Sequence, residues 1–149
     1  MKSIFILKII LFLCWGSNSY KDKPIWHNNI DDAILKSKMS NKKVFIYFTY
    51  SKCGPCQKFE KHVCADQEFI KLMSSQYELV KVQLQGGANH KNNDAYYYEM
   101  KNKYDVPTLP YFIVLDKGKQ IRIDKPEYNS KKFMQKLSSN GKARRNRGK

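Results

Sequence analysis

The sequence predicts an α/β fold, in which a central mixed β-sheet is flanked by helices on both faces. From about residue 25 onward, strand-like apolar runs alternate with segments of helical periodicity, which is the pattern of strands joined by helices. Near the end, two strand-like runs are separated only by a short turn, which predicts an antiparallel hairpin and makes the sheet mixed. At 149 residues, the chain is long enough for one domain with its own core.

The first half of the domain predicts a helix, a strand and a second helix. Ile30 opens a segment of helical periodicity that runs to about residue 40 and includes Met39 in its apolar face, with Asn28 or Asn29 as its cap. Residues 43–50, KVFIYFTY, are almost continuously apolar and predict a central strand buried on both faces. The following helix covers residues 57–75, with a kink near Ala65 and Asp66.

The second half predicts a strand, a helix, the hairpin and a last helix. YELVKVQLQ at 77–85 is the strand, and DAYYYEMKNKY at 94–104 is the helix. Residues 106–123 contain the hairpin, with its turn at 116–119. The amphipathic segment 128–139 is the closing helix, so the predicted order is α-β-α-β-α-β-β-α.

Residues 1–19 have the features of a signal peptide. A basic start precedes an apolar run from Ile4 to Trp15, which is shorter than the roughly 20 residues that a membrane span requires. Small residues at Ser17 and Ser19 fit cleavage before Tyr20. We therefore expect an exported protein, whether periplasmic, secreted or in a secretory-pathway lumen, with no stable membrane span after cleavage.

The remaining chain divides into a domain at 20–139 and a basic tail at 140–149, which we expect to be disordered. The net charge of +15 comes partly from this tail and partly from a diffuse basic surface. Such a charge favours anionic partners or membrane surfaces. No recognition motif accompanies the tail, so we expect no nucleic acid partner and interpret the tail as a solubilising end.

Cys53-Gly54-Pro55-Cys56 follows the predicted central strand and begins a helix, where open α/β sheets usually place their chemistry. Pro55 suits a first helical turn, because the missing N–H has no partner there anyway. Cys53 would face the free N–H groups and the positive end of the helix dipole, which favour a thiolate, and Lys52 would add to this. Cys56 lies one turn further in and is less accessible. We therefore expect Cys53 to attack and Cys56 to resolve.

Other interpretations of the cysteine pair are a zinc site and a structural clip. Zinc would need four ligands, for which Cys53, Cys56, His62 and Cys64 are available, but a second Cys-x-x-Cys or a spaced histidine pair is missing. We therefore expect no metal. A disulfide across two residues closes too small a loop to stabilise much. Cys64 is interpreted as a small buried residue, the alternative being a third redox thiol or an intermolecular bridge.

The strand, the Cys-Gly-Pro-Cys motif, the helix and the later Val106-Pro107-Thr108 before a strand resemble the thioredoxin superfamily, over about residues 25–137. This resemblance implies a thioredoxin-like fold and a redox-active disulfide between Cys53 and Cys56. It also implies that Pro107 is cis, packs beside the cysteines and helps to hold the substrate chain. The lead segment and the KVQLQGG strand are most similar to exported thioredoxin-like domains.

Two residues depart from the family pattern. Tyr47 stands where thioredoxins have a buried acid six residues before the first cysteine, and the family assigns that acid a role in proton transfer. Lys52 replaces the tryptophan that usually precedes the motif, which suggests clients with a more acidic surface.

The resulting hypothesis is an exported thiol–disulfide oxidoreductase that reduces or isomerises protein disulfides. Gly54 and Pro55 match reductant-type members of the family, which favours reduction or isomerisation over oxidation. The partners would be protein disulfide clients and an unidentified redox partner that recharges the cysteines, and no organic cofactor is implied. The alternatives are a metallochaperone of thioredoxin-like fold and a non-catalytic interaction module, the latter supported by Tyr47.

Overall fold

The structure, a computed structural model, describes residues 24–87 and 91–143. The predicted signal peptide and the last six residues of the predicted tail lie outside the described residues. The strands are β1 Trp26–His27, β2 Lys43–Tyr50, β3 Tyr77–Leu84, β4 Tyr111–Asp116 and β5 Lys119–Ile123. The α-helices are α1 Ile30–Ser40, α2 Gly54–Phe59, α3 Gln67–Gln76, α4 Lys91–Lys103 and α5 Ser130–Ala143.

The five strands form one mixed sheet in the order β1-β3-β2-β4-β5. Strands β1 and β2 both run parallel to β3, which lies between them. Strand β4 is antiparallel to β2 and forms a hairpin with β5. The prediction of a mixed sheet with a terminal hairpin is therefore confirmed, and the central position of β2 explains why it is buried from Val44 to Thr49.

Two core clusters lie on opposite faces of the sheet, because successive side chains of a strand point to opposite sides. On one face, Phe45 and Tyr47 of β2 pack with residues of α2, α3 and α5. On the other face, Ile46 and Phe48 pack with residues of α1 and α4. The helices therefore cover both faces, as the sequence predicts.

The helix predicted over 57–75 is broken into two α-helices. Helix α2 continues as a π-helical segment at Glu60–Cys64, which ends with Ala65 as its C-cap. Asp66 caps α3, since its Oδ1 accepts a hydrogen bond of 2.9 Å from the Phe69 N–H. The predicted kink near Ala65 and Asp66 is confirmed.

Three features differ from the sequence predictions. Strand β1 was not predicted, because two residues are too few to show strand periodicity. Met39 was included in the apolar face of the first helix, but it is 81% exposed. Helix α5 extends to Ala143, so residues 140–143 of the predicted tail are helical rather than disordered. In the part of the chain that the structure describes, no helix combines the length and apolar character needed to cross a bilayer.

Candidate active site

The turn between β2 and α2 carries the cysteine pair and is tied to the end of β3. The Ser51 N–H donates to the Leu84 carbonyl at 3.0 Å, and the Ser51 hydroxyl donates to the Gln85 carbonyl at 2.8 Å. The Cys53 N–H donates to the Tyr50 carbonyl at 3.0 Å. These bonds hold the turn against two neighbouring parallel strands, at the edge where their carboxyl ends meet.

Cys53 and Cys56 form a disulfide bond, with their Cα atoms 5.2 Å apart. Cys53 is the N-cap of α2, and its Sγ accepts a hydrogen bond of 3.2 Å from the Cys56 N–H. The Cys53 carbonyl accepts the Gln57 N–H at 3.0 Å, which starts the helical hydrogen bonding. Pro55 lies in the first turn of the helix, where it removes no needed hydrogen bond.

The two sulfurs differ in their access to solvent. Cys53 is partly exposed and lies beside the exposed residues Lys52, Gly54 and Pro55. Cys56 is 1% exposed and belongs to the core cluster on its face of the sheet. When the pair is reduced, an attacking molecule can therefore reach Cys53 more readily than Cys56.

The prediction of a cis Pro107 is wrong. Among the described residues, the cis peptide bond joins Leu109 to Pro110. Two prolines stand three residues apart in this loop, and β4 begins directly after the second one. Pro110 is buried, whereas Pro107 and Thr108 are exposed, and Leu109 packs against the same core cluster as Cys53. The Val-Pro-Thr match therefore selected the wrong proline of the pair.

Tyr47, at the position of the family's buried acid, is fully buried in an aromatic cluster. Its ring stacks on Phe112 with centroids 5.3 Å apart and lies 5.5 Å from Phe59. Its hydroxyl donates to the Cys56 carbonyl at 3.4 Å and to Glu60 Oε1 at 3.3 Å. Burial, reinforced by the charge of Glu60, raises the pKa of the Tyr47 phenol well above its usual range, so the phenol stays protonated.

Glu60 and Lys81 form an ion pair beside Tyr47. The sequence predictions assign a role to neither residue. Lys81 Nζ lies 2.9 Å from Glu60 Oε1. The sequence does contain one indication of a role for Glu60. It follows Cys56 by four residues, so the two side chains share one face of the helix. Lys81 comes from β3, and its pairing with Glu60 depends on the packing of α2 against the sheet.

Cys64 is a free thiol and is partly buried. Burial first, and then the charge of Glu60, raise the pKa of the Cys64 thiol to about 12, although Lys81 opposes this. His62 of the hypothetical zinc set is exposed. In residues 24–87 and 91–143, no group of three His, Cys, Asp or Glu side chains is arranged to hold a metal ion.

The chain resembles known proteins over the region that contains this site. The sequence profile of a family described as Thioredoxin-like matches residues 25–117. The "Thioredoxin-related protein DsbJ" of Chlamydia pneumoniae is 30% identical over 102 residues, which are 67% of this chain and 29% of that protein. The matched region therefore spans less than a third of that relative's length.

Solved structures share the fold. A structure described as "DsbH Oxidoreductase" superposes with a TM-score of 0.67 and 24% identity, covering 78% of this chain and 83% of the other. A thioredoxin from Thermus thermophilus superposes with a TM-score of 0.60 and 18% identity, covering 78% and 86%. The matched profile extends over more than half of the sequence and includes the Cys-Gly-Pro-Cys motif. The chain belongs to the thioredoxin-like family.

Proposed function

We propose that this protein is an exported thiol–disulfide oxidoreductase that reduces or isomerises protein disulfides. The observation that carries the proposal is the Cys53–Cys56 disulfide at the start of α2, with one sulfur accessible and the other buried. The relative named DsbJ and the structure named DsbH Oxidoreductase support a reaction of this class. Export rests on the apolar leader in residues 1–19.

In the proposed reaction, the reduced protein transfers two electrons to a client disulfide. The Cys53 thiolate attacks one client sulfur, so that a mixed disulfide forms and the other client sulfur leaves and takes up a proton. Cys56 then loses its proton and attacks Cys53 Sγ, which releases the second client thiol and forms the Cys53–Cys56 disulfide. The structure has the pair in this oxidised form. A partner dithiol must reduce it before another cycle.

The N-cap position of Cys53 supports its proposed role as nucleophile. The Cys56 N–H that donates to Cys53 Sγ would also stabilise a negative charge on that sulfur. The positive end of the helical segment acts in the same direction. Lys52 is exposed, so water and salt screen its charge and its proposed contribution is small.

The loop before β4 is the proposed contact for the client backbone. Leu109 packs against the same cluster as Cys53, and Pro107 and Thr108 next to it are open to solvent. Pro110, rather than the expected Pro107, has the cis peptide bond. An extended client segment beside the disulfide would therefore meet residues 107–110.

Insulin reduction by the mature domain tests the proposed activity. With dithiothreitol as the recharging dithiol, we expect the wild type to precipitate the insulin B chain faster than dithiothreitol alone. The variants Cys53→Ser and Cys56→Ser should lose this acceleration, while Cys64→Ser should keep it. If wild type and Cys53→Ser give equal rates, the chain is not an oxidoreductase of this kind. Stoichiometric metal binding with no turnover would instead favour the metallochaperone alternative.

The reduction potential of the Cys53–Cys56 pair tests the proposed direction. Thioredoxin-type reductants have potentials of about −270 mV, and strong oxidants of this fold have about −120 mV. We expect a value in the lower part of this range, measured by equilibration with glutathione buffers. A value close to that of the oxidants would reverse the proposed direction without removing the activity.

A further inference from the structure

Four polar side chains lie next to one another on the face of the sheet that also carries Cys56, a group that we call the polar cluster: Tyr47, Glu60, Cys64 and Lys81. Tyr47 of β2 and Lys81 of β3 are register partners, so their side chains leave the sheet on the same face. Glu60 and Cys64 lie in the π-helical segment that continues α2 over this face. The cluster therefore joins two strands to the helix that carries Cys56.

Glu60 is the centre of this cluster. Its Oε1 accepts hydrogen bonds from the Tyr47 hydroxyl at 3.3 Å and pairs with Lys81 Nζ at 2.9 Å. Its backbone N–H donates to the Cys56 carbonyl, so Glu60 lies one helical turn after Cys56. Side chains at this spacing are neighbours on one face of a helix, with Cβ atoms about 5–6 Å apart.

The cluster extends from the buried thiol to the solvent. Cys56 and Tyr47 are 1% and 0% exposed, whereas the side chains of Glu60 and Lys81 are 38% and 28% exposed. A proton that leaves Cys56 toward Glu60 would thus reach a group that can exchange it with water. Glu60 thus combines a place one helical turn after the buried thiol with access to water.

The other members of the cluster do not suit this task. Burial raises the pKa of the Tyr47 phenol, and burial raises the pKa of the Cys64 thiol to about 12, so both stay protonated at neutral pH. Lys81 is a cation, so it donates hydrogen bonds and cannot accept a proton. Helix α5 contributes the apolar Phe133 to the core on this face. Glu60 is the carboxylate that these groups surround.

We propose that Glu60 accepts the proton of Cys56 when Cys56 resolves the mixed disulfide. The proton moves to the Glu60 carboxylate directly or through one water, and the Cys56 thiolate attacks Cys53 Sγ. The Cys53–client bond breaks as the Cys53–Cys56 bond forms, and the departing client thiolate takes a proton from solvent. Glu60 then returns its proton to solvent. Tyr47 and Lys81 are positioning residues that hold the carboxylate.

This inference rests on the proposed oxidoreductase function. It assigns the proton-accepting role to Glu60, in the helical segment after Cys56, rather than to a residue of β2. Tyr47 occupies the strand position where the family has its acid, and its hydroxyl instead bonds to Glu60. The acidic group that is missing from β2 would thus be supplied by α2's continuation, four residues after the resolving cysteine.

Stopped-flow mixing of the reduced protein with an aromatic disulfide, whose released thiolate absorbs visible light, separates the two steps. Attack by Cys53 gives a first, bimolecular phase, and resolution by Cys56 gives a second, unimolecular phase. Both are measured between about pH 5 and pH 9, the range in which a carboxylate base and hydroxide can be told apart. Cys53→Ser reports any slow background from Cys56 and Cys64.

For Glu60→Gln, we expect an unchanged first phase and a second phase that is at least about tenfold slower near pH 7. The difference in second-phase rate between Glu60→Gln and the wild type should shrink as pH rises, because hydroxide then deprotonates Cys56 without the Glu60 carboxylate. Glu60→Asp should recover part of the rate. The matched control Glu68→Gln, which removes an exposed carboxylate from the first turn of α3, should leave both phases unchanged.

Two results would overturn the inference. One is a second phase of Glu60→Gln with the wild-type rate and pH profile. The other is a second phase that is slower by the same factor at every pH, since a purely structural role has that signature. If the wild type lacks the first phase, the proposed oxidoreductase function fails, and this inference with it. Thermal unfolding of each variant checks that the fold is kept.

Discussion

Replacing Tyr47 by aspartate would restore the acid of the family pattern, and we expect it to destabilise the protein strongly. Tyr47 is fully buried, and its ring lies 5.3 Å from Phe112, 5.5 Å from Phe59 and 6.2 Å from Trp26, measured between centroids. Truncating a buried aromatic side chain costs about 3–5 kcal/mol, because contacts are lost and a cavity remains. Burying a carboxylate in this apolar space adds to the cost.

Tyr47→Phe is the matched control, because it keeps the ring and removes only the hydroxyl. Glu60 Oε1 keeps its ion pair with Lys81, and the Cys56 carbonyl keeps the Glu60 N–H, so no buried acceptor is left without a partner. We therefore expect a loss of about 0.5–1.5 kcal/mol, the usual net value of one hydrogen bond. The two variants should thus differ by more than about 2 kcal/mol.

Urea denaturation of the oxidised proteins at neutral pH measures these losses, provided that the m-values agree. Burial should raise the pKa of the aspartate carboxyl introduced at position 47 above its unfolded value of about 3.9, so the deficit of this variant should shrink as pH falls through the raised pKa. A Tyr47→Asp protein within about 1 kcal/mol of the wild type would refute the argument from aromatic packing.

Two further predictions concern titratable groups away from the disulfide. Burial opposes ionisation of Glu78, but hydrogen bonds from His27 and Ser40, together with the charge of Lys42, hold its pKa below the usual range. Glu78→Gln should therefore cost about 1–2 kcal/mol in urea unfolding at neutral pH, and the difference should close as pH falls through the lowered pKa of Glu78, where the wild-type carboxylate also becomes protonated. A gap that persists in acid would contradict this assignment. Because the pKa of Cys64 is raised to about 12, its alkylation in the reduced folded protein at about pH 8 should be roughly a thousandfold slower than that of a free cysteine. Mass spectrometry of timed iodoacetamide reactions measures this rate, and labelling of Cys64 as fast as Cys53 would show that the thiol is not shielded.

The elements of this fold could be predicted where the local pattern and the tertiary contacts agree. Strand β2 is apolar along its length because both faces are covered, and its predicted bounds are those observed. Of the two expected caps of α1, Asn28 and Asn29, the structure has Asn29, since its Oδ1 accepts the Asp31 N–H at 2.7 Å. The two residues of β1 could not be predicted, because they are a strand only through their pairing with Leu79 and Val80.

The same distinction applies to the candidate site. The placement of Cys53 at the cap of α2 and of Cys56 inside the helix follows from local rules, because Pro55 favours a helix start and the spacing sets the face. The choice between Pro107 and Pro110 does not follow from local rules. Both prolines follow an apolar residue, and they differ only in their position relative to the point where the loop meets the sheet. A local motif match therefore could not distinguish them.

By itself, the sequence determined a mixed α/β sheet, a cysteine pair between its central strand and a helix, and the replacement of the family's acid by Tyr47. Each of these three features depends on residue patterns within one turn or one strand. Only the tertiary structure decided that Glu60 and Lys81 meet beside Tyr47 and that Tyr47 bonds to Glu60. The physical reason is that the pairing of β2 with β3 and the packing of α2 on the sheet bring together side chains from positions 47, 60 and 81, and no local pattern encodes that contact.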